Sequence, residues 1–144
     1  FMALSAADNL RLGGQERTRC LTLFPELEPL LARRAGLLSG GEQQMLTLAR
    51  AIASDPDVLL IDELSLGLAP LVVERLLVAV RRVADQGSGV LLVEQQVRNA
   101  LDVVDRAYVV SNGRVALEGP TAELRERIDD IERTYLASAA LAAS

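Results

Sequence analysis

Two adjacent carboxylates, Asp62 and Glu63, directly follow the four apolar residues Val58 to Ile61. Such a run is typical of a strand buried on both faces of a parallel sheet, which would place the acids at its carboxyl end. Since Mg²⁺ prefers oxygen ligands, Asp62 is a candidate to hold the metal, and Glu63 to orient or deprotonate an attacking water. Neighbours on an extended segment point to opposite sides, so two different roles suit them. The alternative interpretation is a solvated strand end.

A second candidate is the segment Ser39-Gly40-Gly41, which opens a predicted helix. Exposed backbone N–H groups at a helix start attract anions, and glycines allow close approach. A phosphate is the natural ligand for such a segment. Taken alone, the three residues are equally compatible with a simple cap and turn.

Gln95 follows a second apolar run, Val90 to Val93, much as Asp62 follows the first. Its amide could donate to a phosphate and accept from a neighbour, but it cannot carry a proton as His could. On its own, Gln95 is also explained as a surface polar residue.

The spacing of apolar residues predicts the elements that position these side chains. Met45, Leu48, Ala49 and Ile52 lie on one face of a helix that ends at Ser54-Asp55-Pro56. A second helix, from Leu71 to Val83, joins the two apolar strands in a right-handed parallel crossover. Both polar strand ends then meet at one edge of the sheet, where open α/β sheets bind ligands.

The flanking regions complete a predicted α/β fold. Residues 1–37 have helical spacing and form a small helical region, whereas Asn112-Gly113 between two apolar runs predicts a hairpin whose antiparallel strands close the sheet. Thr121 is a plausible cap for a last helix that reaches about Leu136.

Composition removes several chemistries. The 144 residues include no His and one Cys, Cys20, and carry a formal net charge of −5. A Ser-His-Asp or Cys-His catalytic unit, a zinc cluster and an internal disulfide are therefore excluded. The acidic balance and the 3% aromatic content argue against nucleic acid as a partner. Apolar runs are far shorter than the roughly 20 residues that cross a bilayer, so we expect a soluble chain.

Taken together, these residues resemble the ATP-binding cassette (ABC) family of ATPases. Leu38 to Gln44 is similar to the family's signature motif, and Val58 to Glu63 to the Walker B strand in its usual place. Ser65 to Pro70 looks like the D-loop in the form common to ATPases of branched-chain amino acid importers. The segments 92–95 and 105–108 also resemble sequences found in those ATPases.

The resemblance implies roles for individual residues. Asp62 would serve Mg²⁺ and Glu63 would be the catalytic base, while Gln95 occupies the switch position where most of the family has His. The signature residues would contact the γ-phosphate of ATP held by a second, facing subunit; they are Leu38, Ser39, Gly40, Gly41 and Glu42. Leu64 departs from the usual Pro.

One family motif is absent. No G-x-x-x-x-G-K-[ST] occurs in the sequence, so the loop and Lys that cradle the β- and γ-phosphates are missing. We therefore expect the C-terminal part of a nucleotide-binding subunit, with a partial P-loop NTPase core. Residues 1–54 would form the helical and signature subdomain, and residues 55–144 the second half of the core, including the parallel sheet and the antiparallel hairpin.

The expected function is that of an importer ATPase subunit, which couples ATP hydrolysis to uptake of branched-chain amino acids or a related solute. Its partners would be a second ATPase subunit, arranged head to tail, and transmembrane permease subunits, and it would lie on the cytoplasmic face of the membrane. Hydrolysis would belong to the full-length protein, and the isolated chain would be inactive. The alternatives are a non-transport cassette ATPase and a catalytically inert interaction module.

Overall fold

The computed structural model describes residues 1–14 and 17–129. Its helices and strands, in chain order, are α1 (Ala6–Gly13), α2 (Arg17–Leu23), α3 (Gly40–Ala53), β1 (Val58–Asp62), α4 (Pro70–Asp85), β2 (Gly89–Val93), α5 (Val97–Leu101), β3 (Arg106–Ser111), β4 (Arg114–Pro120) and α6 (Thr121–Arg125). Two 3₁₀ segments, Pro25–Leu30 and Ala35–Leu37, lie between α2 and α3. These elements group into two compact units, one of residues 1–93 and one that starts at Glu94. The division predicted at residue 54 stays a prediction.

The first unit has its core where α3 meets α1, α2 and α4. The predicted apolar face of α3 is confirmed, since Met45, Leu48, Ala49 and Ile52 are all buried. Cys20 is also buried, and its Sγ donates to the Ala49 carbonyl oxygen over 3.1 Å, so this thiol packs as a small apolar side chain.

β1 and β2 pair in parallel and α4 lies between them in the chain, so the parallel arrangement of the predicted crossover is confirmed. Val73, Leu76, Leu77 and Val80 form the buried face of α4. The expected burial of β1 on both faces is wrong, however. Leu59 and Ile61 are buried, whereas Val58 and Leu60 are 61% and 70% exposed. Helices therefore cover only one face of this strand among the described residues.

In the second unit, β3 and β4 form an antiparallel hairpin around Asn112-Gly113, as predicted. Both turn residues have positive φ, +50° and +72°, the conformation for which Asn and Gly are suited. Leu101 of α5 and Leu124 of α6 are the buried core beneath the hairpin. The prediction that the hairpin closes the parallel sheet is wrong, because within the described residues β3–β4 is a separate two-stranded sheet.

The start of α6 also differs from its prediction. Pro120 precedes the helix and Thr121 is its first residue, so Thr121 is not the cap. The Thr121 hydroxyl instead donates to the Val104 carbonyl oxygen over 2.6 Å. The helix ends at Arg125, earlier than predicted, and residues 130–136 of the predicted helix lie outside the described residues. In the ranges 1–14 and 17–129, every helix is too short or too polar to span a bilayer.

Candidate functional site

The carboxylates Asp62 and Glu63 lie at the carboxyl end of the parallel strand pair. Asp62 is the last residue of β1 and pairs in register with Val93, the last residue of β2. The backbone N–H of Glu63 donates to the Val93 carbonyl oxygen over 2.9 Å, one residue beyond that pair. Asp62 is exposed to solvent. Both acids thus lie at the carboxyl end of β1, as the sequence predicts, and backbone pairing with β2 holds them there.

The chain leaves the strand at Glu63, whose φ is +47°. This left-handed conformation is uncommon for a residue with a side chain, and such residues cluster at functional sites. The turn closes when the Leu66 N–H donates to the Glu63 carbonyl oxygen over 3.3 Å. Leu64 is buried and anchors this turn by packing.

The signature segment, Leu38 to Gln44, contains the start of α3, and a capping box stabilises this helix start. The Ser39 Oγ accepts from the Glu42 N–H over 3.3 Å, and the Glu42 Oε2 accepts from the Ser39 N–H over 2.7 Å. The backbone N–H of Ser39 is the main reason why the pKa of Glu42 is lowered from its usual value. The side chain of Gln43 donates to the Leu38 carbonyl oxygen, over 2.9 Å, which ties the preceding residue to the helix.

Gly40 and Gly41 provide the open donors of this helix start. Within the described residues, neither amide has a hydrogen-bond partner, whereas the amides of Ser39, Glu42 and Gln43 are all paired. Ser39 and Gly40 are exposed. Unpaired N–H groups at the positive end of a 14-residue helix are suited to bind an anion such as a phosphate.

Gln95 belongs to the second unit and lies between β2 and α5. Its side chain is exposed, its backbone N–H donates to Glu94 Oε2 over 3.2 Å, and its carbonyl oxygen accepts from the Val97 N–H over 3.0 Å. These contacts fix the backbone of Gln95 locally. The predicted role of its amide at a phosphate stays a prediction.

The carboxylates of Asp62 and Glu63 are suited to bind Mg²⁺ only where phosphate oxygens and waters complete its coordination shell. No cluster of three or more metal-ligating side chains occurs in the ranges 1–14 and 17–129. Mg²⁺ commonly takes one or two carboxylates and completes its shell with waters and substrate phosphate oxygens. The exposed carboxylate of Asp62 suits that role, and a cage made by the protein alone is not required.

Two features of the site were not foreseen from the sequence. One is the capping box, although the pattern Ser-x-x-Glu at residues 39–42 is its usual signal and could have revealed it. The other is the bond from Glu63 to the Val93 carbonyl oxygen, for which no sequence signal exists because it depends on strand register.

The chain is similar in sequence to known ABC transporter proteins. The family model described as "ABC transporter" matches residues 5–65. The chain is 41% identical over 133 residues to the high-affinity branched-chain amino acid transport ATP-binding protein BraG of Pseudomonas aeruginosa, a match that covers 86% of this chain and 57% of the relative. It is 42% identical over 136 residues to the probable branched-chain amino acid transport ATP-binding protein LivF of Archaeoglobus fulgidus, covering 88% and 58%.

A solved ATP-binding cassette of an ABC transporter, in its ADP conformation, has the same fold. The two superpose with a TM-score of 0.78 at 22% identity, over 94% of this chain and 63% of the other. The predicted α/β cassette fold is thereby confirmed. The chain spans less than three fifths of the length of the two curated relatives.

Proposed function

The chain belongs to the ABC transporter family, and from this premise we propose that it is the part of an importer ATPase subunit that supplies the signature segment and the catalytic carboxylate. The main support for the proposal is that the first unit, residues 1–93, contains both the signature segment and the carboxylates. The helix start at Gly40-Gly41 has open amide donors, and Asp62-Glu63 ends a parallel strand.

In the proposed reaction, ATP is hydrolysed between two subunits arranged head to tail. The amides of Gly40 and Gly41, with the Ser39 hydroxyl, would bind the γ-phosphate of ATP held by the facing subunit. The positive end of the α3 dipole would stabilise the negative charge that develops on the phosphoryl oxygens. Leu38 and Glu42 would hold this segment in place from either side.

Glu63 would accept a hydrogen bond from the attacking water and orient it, or take its proton. Asp62 would hold Mg²⁺, which when bound neutralises phosphate charge. Gln95 would contribute an amide that donates to phosphate, and with no His in the sequence proton transfer would depend on Glu63.

The proposed transport function is uptake of branched-chain amino acids. It rests on the two relatives described as branched-chain amino acid transport ATP-binding proteins. The partners would then be a second ATPase subunit and membrane permease subunits, and the ATPase would lie on the cytoplasmic face of the membrane. Nucleic acid is not among the proposed partners.

Reconstitution tests this function. The full-length protein, assembled with its permease in lipid vesicles, should take up radiolabelled leucine only when ATP and Mg²⁺ are present. Vesicles given a non-hydrolysable ATP analogue are the control and should take up none. ATP hydrolysis without uptake of leucine, isoleucine or valine would contradict the importer assignment.

A further inference from the structure

The two glycines of the signature segment have different surroundings. A Cβ atom placed on Gly40 would have one neighbour, the Leu68 Cδ2 at 4.0 Å, which is an ordinary contact. A Cβ atom on Gly41 would lie 3.1 Å and 3.3 Å from the two γ-carbons of Val72, closer than side chains normally pack. Gly41 therefore allows the start of α3 to approach the first turn of α4, whereas Gly40 leaves space for a ligand.

Val72 has little freedom to move away. Valine in an α-helix strongly prefers one χ1 rotamer, because its two γ-carbons crowd the preceding turn. The Val72 N–H donates to the Ala69 carbonyl oxygen over 2.9 Å, and the next residue, Val73, is buried. Both its backbone and its rotamer are thus held by α4.

The first turn of α4 is in turn connected to the catalytic carboxylate by a short, packed segment. Residues 64–69 separate Glu63 from Pro70, the first residue of α4. Leu64 and Ser65 are buried, and the Leu68 N–H donates to the Ser65 carbonyl oxygen over 3.2 Å. Val72 is therefore linked by ordered structure both to the end of β1 and to the start of α3.

From these contacts we propose that Val72 is a positioning residue for the signature segment: it sets the place of Gly41, and with it the open amides that face the ligand. The proposal rests on the proposed function only in assigning phosphate binding to those amides. A displacement of Val72 would move the signature segment relative to α4 without removing any group that touches nucleotide.

A double-mutant cycle in urea unfolding tests the contact itself. Gly41→Ala should lower the unfolding midpoint, although Ala is the better helix former, because its Cβ meets Val72. Gly41→Ala combined with Val72→Ala should cost less than the two single changes added together. Gly40→Ala, where space is free, is the matched control and should not lower the midpoint. Strictly additive effects, or equal losses from both glycine variants, would overturn the proposal.

Amide chemical shifts give a second readout, which holds even if Gly41→Ala fails to fold. Val72→Ala should shift the ¹H–¹⁵N resonances of Ser39, Gly40 and Gly41. Val78→Ala makes the same change six residues further along α4, about 9 Å away, at an exposed position, and should leave those resonances in place. Equal shifts from both variants, or none from Val72→Ala, would overturn the assignment of Val72.

Kinetics separate this inference from the proposed function. In the full-length protein, Val72→Ala should lower kcat for ATP hydrolysis while the Kd for ATP of a single subunit is unchanged, because the signature segment acts on nucleotide bound to the facing subunit. A raised Kd with unchanged kcat would contradict a positioning role. If the wild-type protein hydrolyses no ATP but the cycle shows coupling, the proposed function fails and the contact between Val72 and Gly41 stands.

Discussion

Glu63 is tied by its backbone to the neighbouring strand, through the 2.9 Å hydrogen bond from its N–H to the carbonyl oxygen of Val93. This bond lies one residue beyond the last strand pair, Asp62 with Val93, and it coincides with the left-handed φ of Glu63. The parallel pairing of β1 and β2 thus extends to the proposed catalytic residue, Glu63, where the chain leaves β1.

Removal of the Ser39 hydroxyl should destabilise α3, the helix that Ser39 caps. Ser39→Ala loses the hydrogen bond that the Ser39 Oγ accepts from the Glu42 N–H, and loss of such a cap costs about 1 kcal/mol. The free energy of unfolding in urea measures this loss. Ser39→Thr keeps a capping hydroxyl and should retain most of the stability. An alanine variant as stable as the wild-type protein would show that the cap contributes nothing.

Glu42 should make stability depend on pH. Its pKa is lowered in the folded state, chiefly because the Ser39 N–H donates to its carboxylate. The stabilisation is therefore fully present above the unfolded value of 4.5 and is lost as the pH falls through the lower, folded pKa. The difference in unfolding free energy between the wild-type protein and Glu42→Gln should shrink from pH 7 to below pH 4.

Ser39→Ala is the control for this titration. It retains the backbone N–H, which is the main cause of the shifted pKa, and should keep most of the pH-dependent difference. A difference between wild type and Glu42→Gln that stays constant across the acid range would contradict the assigned cause.

Arg75 should stabilise the first unit by joining α4 to the 3₁₀ segment Pro25–Leu30. Its guanidinium donates to Glu26 Oε1 over 2.7 Å and to the Leu23 carbonyl oxygen over 2.9 Å. Arg75→Lys keeps the charge, but the ammonium lacks the planar guanidinium that donates to both Glu26 and Leu23, so the variant should have a lower free energy of unfolding. Since the pair is partly exposed, we expect about 0.5–1 kcal/mol. Arg82→Lys, at an exposed position of α4, is the control and should change little.

Equal losses from Arg75→Lys and Arg82→Lys would contradict this account. So would an unchanged pKa of Glu26 in the Arg75→Lys variant, because the hydrogen bond from Arg75 is the main cause of the lowered pKa of that carboxyl.

Local patterns were sufficient to predict much of the fold. The i, i+3, i+4, i+7 spacing from Met45 to Ile52 predicted α3, because burial follows the helical period. Asn112-Gly113 predicted the hairpin turn, because both positions need positive φ. The candidate carboxylates Asp62 and Glu63 were found because polar residues interrupt an apolar run at a strand end.

Features that depend on distant partners were not predictable in this way. The apolar run Val58 to Ile61 does not reveal that Leu60 is exposed while Leu59 is buried, since that depends on which helices cover the sheet. The place of the hairpin in a separate sheet depends on strand pairing between distant segments. The close approach of Gly41 to Val72 likewise depends on how α3 packs on α4.

The open face of the parallel sheet should cause the 144-residue chain to self-associate. Leu60 and Leu91 are partners in register and are 70% and 57% exposed. Exposed apolar strands favour pairing between chains. Sedimentation velocity should show species larger than the monomer, and Leu60→Lys should shift them toward the monomer. Leu12→Lys, at an exposed leucine of α1, is the control and should have little effect. A monodisperse wild-type monomer would contradict this prediction.

The central claim, that Glu63 acts on the water which attacks ATP, is tested most directly by the rate of ATP hydrolysis in the full-length Glu63→Gln protein. The amide has nearly the same shape as the carboxylate, so folding and ATP affinity should be retained while hydrolysis falls by about 10²-fold or more. Glu74→Gln, at an exposed position of α4, is the matched control and should hydrolyse ATP at the wild-type rate. Unchanged turnover in Glu63→Gln would contradict the account.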